Sequence, residues 1–215
     1  MPEFQQAPPS PISPRRTFAL IPAAGRSRRM GSPKLLLPWS GRTVVEQLLI
    51  ALHRPEIEAV FVVVRPDDVG LQDALSRTAA IVVTPDHDPP DMRDSVELGL
   101  KAIQKRFNPE DQDCWLLIPA DHPLIEPEVL DGLLACWSSQ DCKALVPSFC
   151  GRRGHPTLLS WSLAKQVEQL PRDVGINKLL RSSPDLVTEW PTDRESVLAD
   201  LDTPEDYAYW KQRLL

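Results

Sequence analysis

Thr17-Phe18-Ala19-Leu20-Ile21-Pro22-Ala23-Ala24-Gly25-Arg26-Ser27-Arg28-Arg29-Met30-Gly31-Ser32-Pro33-Lys34 is the stretch from which the rest of the chain is read. Thr17 to Ile21 form a short apolar strand. The run that follows holds small residues, two glycines, three arginines and a lysine, with Met30 as its bulky apolar residue. Gly25 and Gly31 let the backbone turn sharply and come close to a ligand. Successive backbone N–H groups in such a turn form an anion-binding concavity. Arg26, Arg28, Arg29 and Lys34 surround it with positive charge. A strand feeding a glycine-punctuated basic loop reads as a phosphate cradle, most often for a nucleotide. The competing reading is a surface loop whose arginines are simply solvated.

Outward from this loop, apolar strand candidates alternate with amphipathic helix candidates. That alternation is the pattern of a mostly parallel sheet covered on both faces. Strands are expected at about 17–22, 58–64, 79–84, 113–118, 143–148 and 185–190, and near-continuous β-branched runs suit buried parallel strands. Helices are expected at about 43–53, 67–77, 92–106, 126–138, 161–169, 174–182 and 203–213, the last with Thr203 as N-cap and Pro204 in its first turn. The fold class is thus α/β, a single-domain, Rossmann-like three-layer sandwich over 17–215. Ligands of an open parallel sheet bind outside the carboxyl ends of its strands. The loops after Ile21, Thr84 and Ile118 should therefore share one crevice.

With 215 residues and 42% hydrophobic content, the chain suits one such domain with a full core. Residues 1–16, with Pro2, Pro8, Pro9, Pro11 and Pro14, have too little apolar surface to offset ordering entropy and read as a flexible tail. No run nears the roughly 20 apolar residues of a membrane span. The tail lacks the apolar region of a signal peptide, so a cytoplasmic location is expected. The four cysteines (Cys114, Cys136, Cys142, Cys150) and four histidines show no metal-ligand spacing, and reduced thiols with a core Cys114 are expected. A net charge of −6 argues against a nucleic-acid surface. Against that average, the local positive charge of 25–34 points to a small polyanion.

The loop is not a Walker motif, because five residues separate Gly25 from Gly31 and Ser-Pro precedes Lys34. Nor does it hold the dinucleotide fingerprint G-x-G-x-x-G. It resembles the nucleotidyltransferase signature A-A-G-x-S-x-R-M-G-x-x-K, and more narrowly that of the MobA-like group, which includes the molybdenum cofactor cytidylyltransferases. The fold this implies is the nucleotide-diphospho-sugar transferase type. It also implies a nucleotide site at Ala23, Ala24, Gly25, Arg26, Ser27, Met30 and Gly31. Lys34 and Arg29 would hold the triphosphate.

Past Ile118 comes Pro119-Ala120-Asp121-His122-Pro123. A carboxylate just beyond a buried strand, held between prolines, suits Mg²⁺, which prefers one or two carboxylates plus waters. Capping of the next helix is the alternative role of Asp121, and His122 reads as structural. The segment resembles the A-D-x-P loop of the MobA-like enzymes, whose Asp binds the metal. In cytidylyltransferases of this superfamily a serine matching Ser95 lies near the pyrimidine and is followed by a pair like Gly99-Leu100. Ser95 also reads as an N-cap, and the two roles are compatible.

Gly151-Arg152-Arg153-Gly154-His155-Pro156 resembles the family's R-x-G-H/N-P segment, which implies acceptor contacts at Arg153 and His155. Solvated hairpin arginines are the other reading. Asp173-Val174-Gly175 resembles a D-x-G helix start. Asp200-Leu201-Asp202-Thr203-Pro204-Glu205-Asp206 matches D-x-D-T-P-E-D, and alternation puts Asp200 and Asp202 on one face. Asp202 either joins Asp121 on Mg²⁺ or helps cap the last helix. The resemblance covers about 17–213.

The activity implied is transfer of a nucleoside monophosphate from an NTP, CTP by this resemblance, to a phosphate-bearing small molecule such as molybdopterin. Ala23-Ala24 stands where guanylyltransferase relatives carry Ala-Gly or Gly-Gly, which favours the smaller base. Pro22 departs from the molybdenum enzymes. With Arg93-Asp94-Ser95-Val96 it resembles the methylerythritol phosphate cytidylyltransferases instead. Two rival classes stay open: a sugar-1-phosphate nucleotidyltransferase, and a non-catalytic protein holding cofactor for a molybdenum hydroxylase.

Overall fold

The computed structural model describes residues 15–171 and 175–214. The stretch 1–14, most of the expected tail, and Asp173 of the D-x-G segment lie outside the described residues. From Arg16 the chain is tied down: its backbone N–H and guanidinium both donate to Asp113. Burial pushes the Asp113 carboxyl up, but the hydrogen bonds from Arg16 and the Glu110 N–H outweigh it and hold the group below its usual range.

β1 (Thr17–Pro22) is central and buried along its whole length. Its alternate residues feed two different cores, as the period of a strand requires. Ala19 and Ile21 join the core beneath α1 (Val44–Ala51), α2 (Val69–Ser76) and α4 (Pro127–Ser139). Phe18 and Leu20 join the core beneath α3 (Met92–Phe107), α5 (Ala164–Gln169) and α6 (Ile176–Ser182). Apolar residues on both faces give the three layers.

β1 pairs in parallel with β4 (Ile57–Val63) and β6 (Cys114–Leu117), and β4 pairs with β5 (Ile81–Val83). Beyond β6, β9 (Thr157–Ser160) runs antiparallel and joins it to β7 (Ala144–Phe149). β10 (Val187–Pro191) forms the far edge, parallel to β7. A two-residue β8 (Arg152–Arg153) hairpins onto β7, and a separate β2 (Pro38–Trp39) and β3 (Arg42–Thr43) ribbon follows the basic loop. α7 (Pro204–Leu214) closes the described chain.

Two expectations need correction, and one strand has no counterpart among them. β9 was not anticipated, because Thr157-Leu-Leu-Ser has only four residues and abuts a helix-like pattern. The expected 161–169 helix is a 3-10 turn at Trp161–Leu163 followed by α5. Ser95 is not an N-cap: Asp91 caps α3 through the Asp94 N–H, which places Ser95 within the first turn. The cap of the last helix is formed by Thr203 with Asp206, each side chain accepting the other's backbone N–H.

Close packing of α3 on β1 depends on Gly99, where an added Cβ would fall inside the Leu20 side chain. Gly99→Ala gains about 1 kcal/mol of helix propensity but overpacks a buried contact by about 1–3 kcal/mol. Urea unfolding should show a net loss of stability despite the better helix former.

Candidate active site

The loops at the carboxyl ends of β1, β5 and β6 line one cleft of about 510 Å³. Ala24, Gly25, Arg26, Arg28 and Lys34 come from the first loop, Asp88 and Asp91 from the second, and Ala120 and Asp121 from the third. Ser95, almost fully buried, lines the cleft from α3 and donates its hydroxyl to the Asp91 carbonyl.

The basic loop is ordered by its own bonds. Ser27 has φ +46° and Gly31 φ +70°, and the Gly31 N–H donates to the Ser27 carbonyl. Lys34 donates its backbone N–H to the Ser27 hydroxyl at 3.4 Å. Met30 and Ala23 face inward and belong to the core, so their part is to anchor the loop. Arg26 is exposed and bridges Asp67 and Asp88 across the cleft mouth.

Beneath the loop lies a residue that sequence reasoning missed. Arg65, two residues past the end of β4, is 9% exposed. It donates to the carbonyls of Ala24 at 3.2 Å and Gly25 at 2.7 Å, and pairs with Asp67 and Asp68. Holding these two carbonyls fixes the planes of their peptides, and with them the directions of the N–H groups of Gly25 and Arg26. The available signal was an arginine ending the apolar run Phe61-Val-Val-Val. Arg65→Met should weaken nucleotide binding about tenfold, since charge-assisted hydrogen bonds to two carbonyls are lost. Titration calorimetry with the nucleotide is the check.

Asp202 accepts from Lys34 Nζ at 3.3 Å and from Arg29 at 2.7 Å. Its carboxylate is therefore turned to the basic loop and not to the cap of α7. Arg29 is 72% exposed on its side chain whereas Lys34 is 12% exposed. Screening by water weakens the Arg29 contact most, so Lys34 is the cation with the greater electrostatic leverage.

The neighbouring Asp200 accepts instead from His122 Nε2 at 2.7 Å. That hydrogen bond, with burial opposing it, lowers the Asp200 pKa. Between them, Leu201 is fully buried and donates its N–H to the Asp121 carbonyl at 2.7 Å. Asp200-Leu201-Asp202 thereby staples the Asp121 loop to the basic loop.

Asp121 Oδ1 is buried and has no hydrogen-bond partner. It caps nothing: Glu126 is the N-cap residue of α4. Among the described residues no group of three or more His, Cys, Asp or Glu side chains is gathered as a metal cage. A magnesium site of one carboxylate or two, completed by waters and phosphate oxygens, needs no such cage. The orphaned Asp121 oxygen fits that chemistry.

His155 lines a small cavity with Asp121 and His122, its ring 4.5 Å from that of His122. Burial first, then the neighbouring His122, pushes its pKa down to about 3, so it is neutral at physiological pH. Arg153 lies on β8 outside the nucleotide cleft, its guanidinium paired with Glu189 at 2.8 Å, and lines a small pocket together with His155.

Comparison with known proteins gives the following. Residues 19–187 match the family model described as the MobA-like NTP transferase domain. The chain is 26% identical to the molybdenum cofactor cytidylyltransferase of Escherichia coli over 195 residues, 90% of this chain and 95% of that protein. It is 34% identical to the 2-C-methyl-D-erythritol 4-phosphate cytidylyltransferase of Nitrosospira multiformis over 121 residues. That match spans 54% of this chain and about half, 52%, of the relative. A crystal structure from Mycobacterium tuberculosis superposes with a TM-score of 0.77 at 24% identity, covering 92% of this chain and 98% of that chain. The same protein has been solved in complex with manganese, with a TM-score of 0.73.

Proposed function

Because the chain belongs to the MobA-like NTP transferase family, and is a nucleotidyltransferase of that type, we propose that it transfers CMP from CTP to a phosphate-bearing small molecule, molybdopterin foremost, releasing pyrophosphate. One observation carries the reading: Gly25, Arg28, Lys34 and Asp121 line a single cleft in which the Asp121 carboxylate has an unpartnered buried oxygen.

The residues divide the work by chemistry. Gly25 offers its backbone N–H to the triphosphate, Gly31 holds the turn through its own N–H to the Ser27 carbonyl, and Lys34 and Arg29 offer charge. Asp202 holds those two cations in place until phosphate oxygens compete for them. Asp121, with Asp202 beside the same loop, would hold Mg²⁺. When bound there, Mg²⁺ neutralises the triphosphate and stabilises the leaving pyrophosphate. The manganese complex of the Mycobacterium tuberculosis protein supports a divalent-ion site in this fold. Ser95 lies by the base, with Ala24 as the methyl that narrows the base site.

A phosphate acceptor is already ionised at neutral pH, so its oxygen attacks the α-phosphorus without a general base. Catalysis rests on positioning and preorganised charge. His155, neutral and buried, is unsuited to proton transfer near pH 7 and fits an acceptor-binding role.

The test is pyrophosphate release with Mg²⁺ and each of the four NTPs, with and without molybdopterin. CTP-selective release that requires molybdopterin is expected. Release with methylerythritol phosphate instead would move the acceptor assignment toward the second relative. Selectivity for a purine nucleotide would overturn the cytidylyl assignment.

A further inference from the structure

Three of the cations that the basic loop offers to phosphate already face carboxylates. Lys34 and Arg29 face Asp202, and Arg26 faces Asp67 and Asp88. The Arg26 arrangement has the longer reach. Asp67 follows β4 and Asp88 follows β5, so one guanidinium joins the loops after β1, β4 and β5 over the cleft mouth.

The two carboxylates are anchored more firmly than the cation between them. Asp67 Oδ1 accepts from Arg65 Nε at 2.9 Å, while its Oδ2 accepts from Arg26 Nη1 at 3.0 Å. The hydrogen bond from Arg65, ahead of that from Arg26, holds the Asp67 carboxyl below its usual range. Asp88 is followed by Pro89 and Pro90, whose rings fix φ and stiffen the chain behind it. Arg26 has a long side chain that is 45% exposed. Arg26 and Asp88 both line the nucleotide cleft, so an anion seated there meets the cation and its competitor together.

The chemistry makes that competition matter at one step. When the acceptor oxygen bonds to the α-phosphorus, the bond from that phosphorus to its bridging oxygen breaks, and the oxygen keeps the electron pair. Pyrophosphate therefore carries one more negative charge than the same two phosphates carried within the nucleotide. Cations arranged to favour that charge as it develops also hold the product.

We infer that Asp67 and Asp88 are exchange partners for Arg26: they surrender its guanidinium to the β- and γ-phosphates and reclaim it once pyrophosphate has formed, which speeds product release. The inference rests on the nucleotidyltransferase reading and adds to it a device for clearing product. Both aspartates are positioning residues, since they act through Arg26. Exposure keeps the exchange easy, because an ion pair this open to water is weak enough to yield to phosphate.

The experiment is calorimetric titration of the full chain with inorganic pyrophosphate and Mg²⁺, with cytidine as a phosphate-free control. Salt is held at about 0.15 M, where charges more than roughly 8 Å apart are largely screened. Asp88 is the carboxylate to change, because Asp67 also serves Arg65. Asp88→Asn should tighten pyrophosphate about threefold, the size of one exposed ion pair, and leave cytidine within about twofold. Asp88→Glu, which keeps the charge, should return pyrophosphate toward its wild-type affinity. Arg26→Gln should weaken pyrophosphate, and adding Asp88→Asn to it should change nothing, because no guanidinium is left to reclaim. In turnover, Asp88→Asn should strengthen product inhibition by pyrophosphate to the same extent as it tightens binding.

Pyrophosphate affinity that is unchanged or weaker in Asp88→Asn overturns the inference, since the contact would then only hold the loop. So does an equal gain in the Arg26→Gln background, because Asp88 would then act as a bare charge on the cleft. Wild type that binds CTP but not pyrophosphate overturns it as well. Failure of the nucleotidyltransferase reading shows separately, as absence of CTP binding and of pyrophosphate release in wild type.

Discussion

Lys34→Ala should lower kcat/KM for pyrophosphate release by about 10²–10³-fold, the loss of one preorganised charge worth roughly 3–4 kcal/mol at a transferring phosphoryl group. Its size follows from position. The Lys34 side chain is 12% exposed, so water screens it little, while Arg29, 72% exposed, should cost less than tenfold when removed. Stability should barely change, because Asp202 keeps Arg29 as a partner and is itself partly open to water. Steady-state kinetics on the two variants, with thermal melts, separates a catalytic loss from a folding one. Equal losses for Lys34→Ala and Arg29→Ala would contradict the ranking.

Asp121→Asn should be the more damaging change, about 10³-fold or more in kcat/KM, since it removes the carboxylate assigned to the divalent ion. Its stability signature distinguishes it from ordinary core damage. Asp121 Oδ1 is buried and unpartnered, so replacing the charge by an isosteric amide removes a desolvation cost. The melting temperature should hold or rise while activity collapses, the trade-off expected where a site is kept at the expense of stability. A fall in melting temperature of several degrees would mean that Asp121 is structural.

Much of the fold was legible because β1, β4 and β6 are near-continuous apolar runs that serve cores on both faces. The loop composition at 25–34 and the carboxylate at 121 were legible for the same local reason: each departs sharply from the buried strand before it. What could not be read depends on contacts between distant segments. Arg65 looks like any surface arginine until β4 brings it under Ala24 and Gly25. Alternation predicted a shared face for Asp200 and Asp202, yet their partners differ, His122 for one and Lys34 with Arg29 for the other. The pairing of His122 with His155 joins residues 33 positions apart in sequence, across two loops. β9 escaped because four residues carry too little period to outweigh the helical pattern that follows.

The central claim is that the nucleotide's α-phosphorus moves to an acceptor phosphate. CTP labelled in turn at the α- and γ-phosphates, incubated with the protein, Mg²⁺ and molybdopterin, tests it directly. The α-label should appear in a new acceptor-linked product in step with release of the γ-label as pyrophosphate. Release of γ-label as inorganic phosphate, with the α-label remaining in CDP, would contradict nucleotidyl transfer and leave a nucleotide-hydrolysing or nucleotide-binding protein in its place.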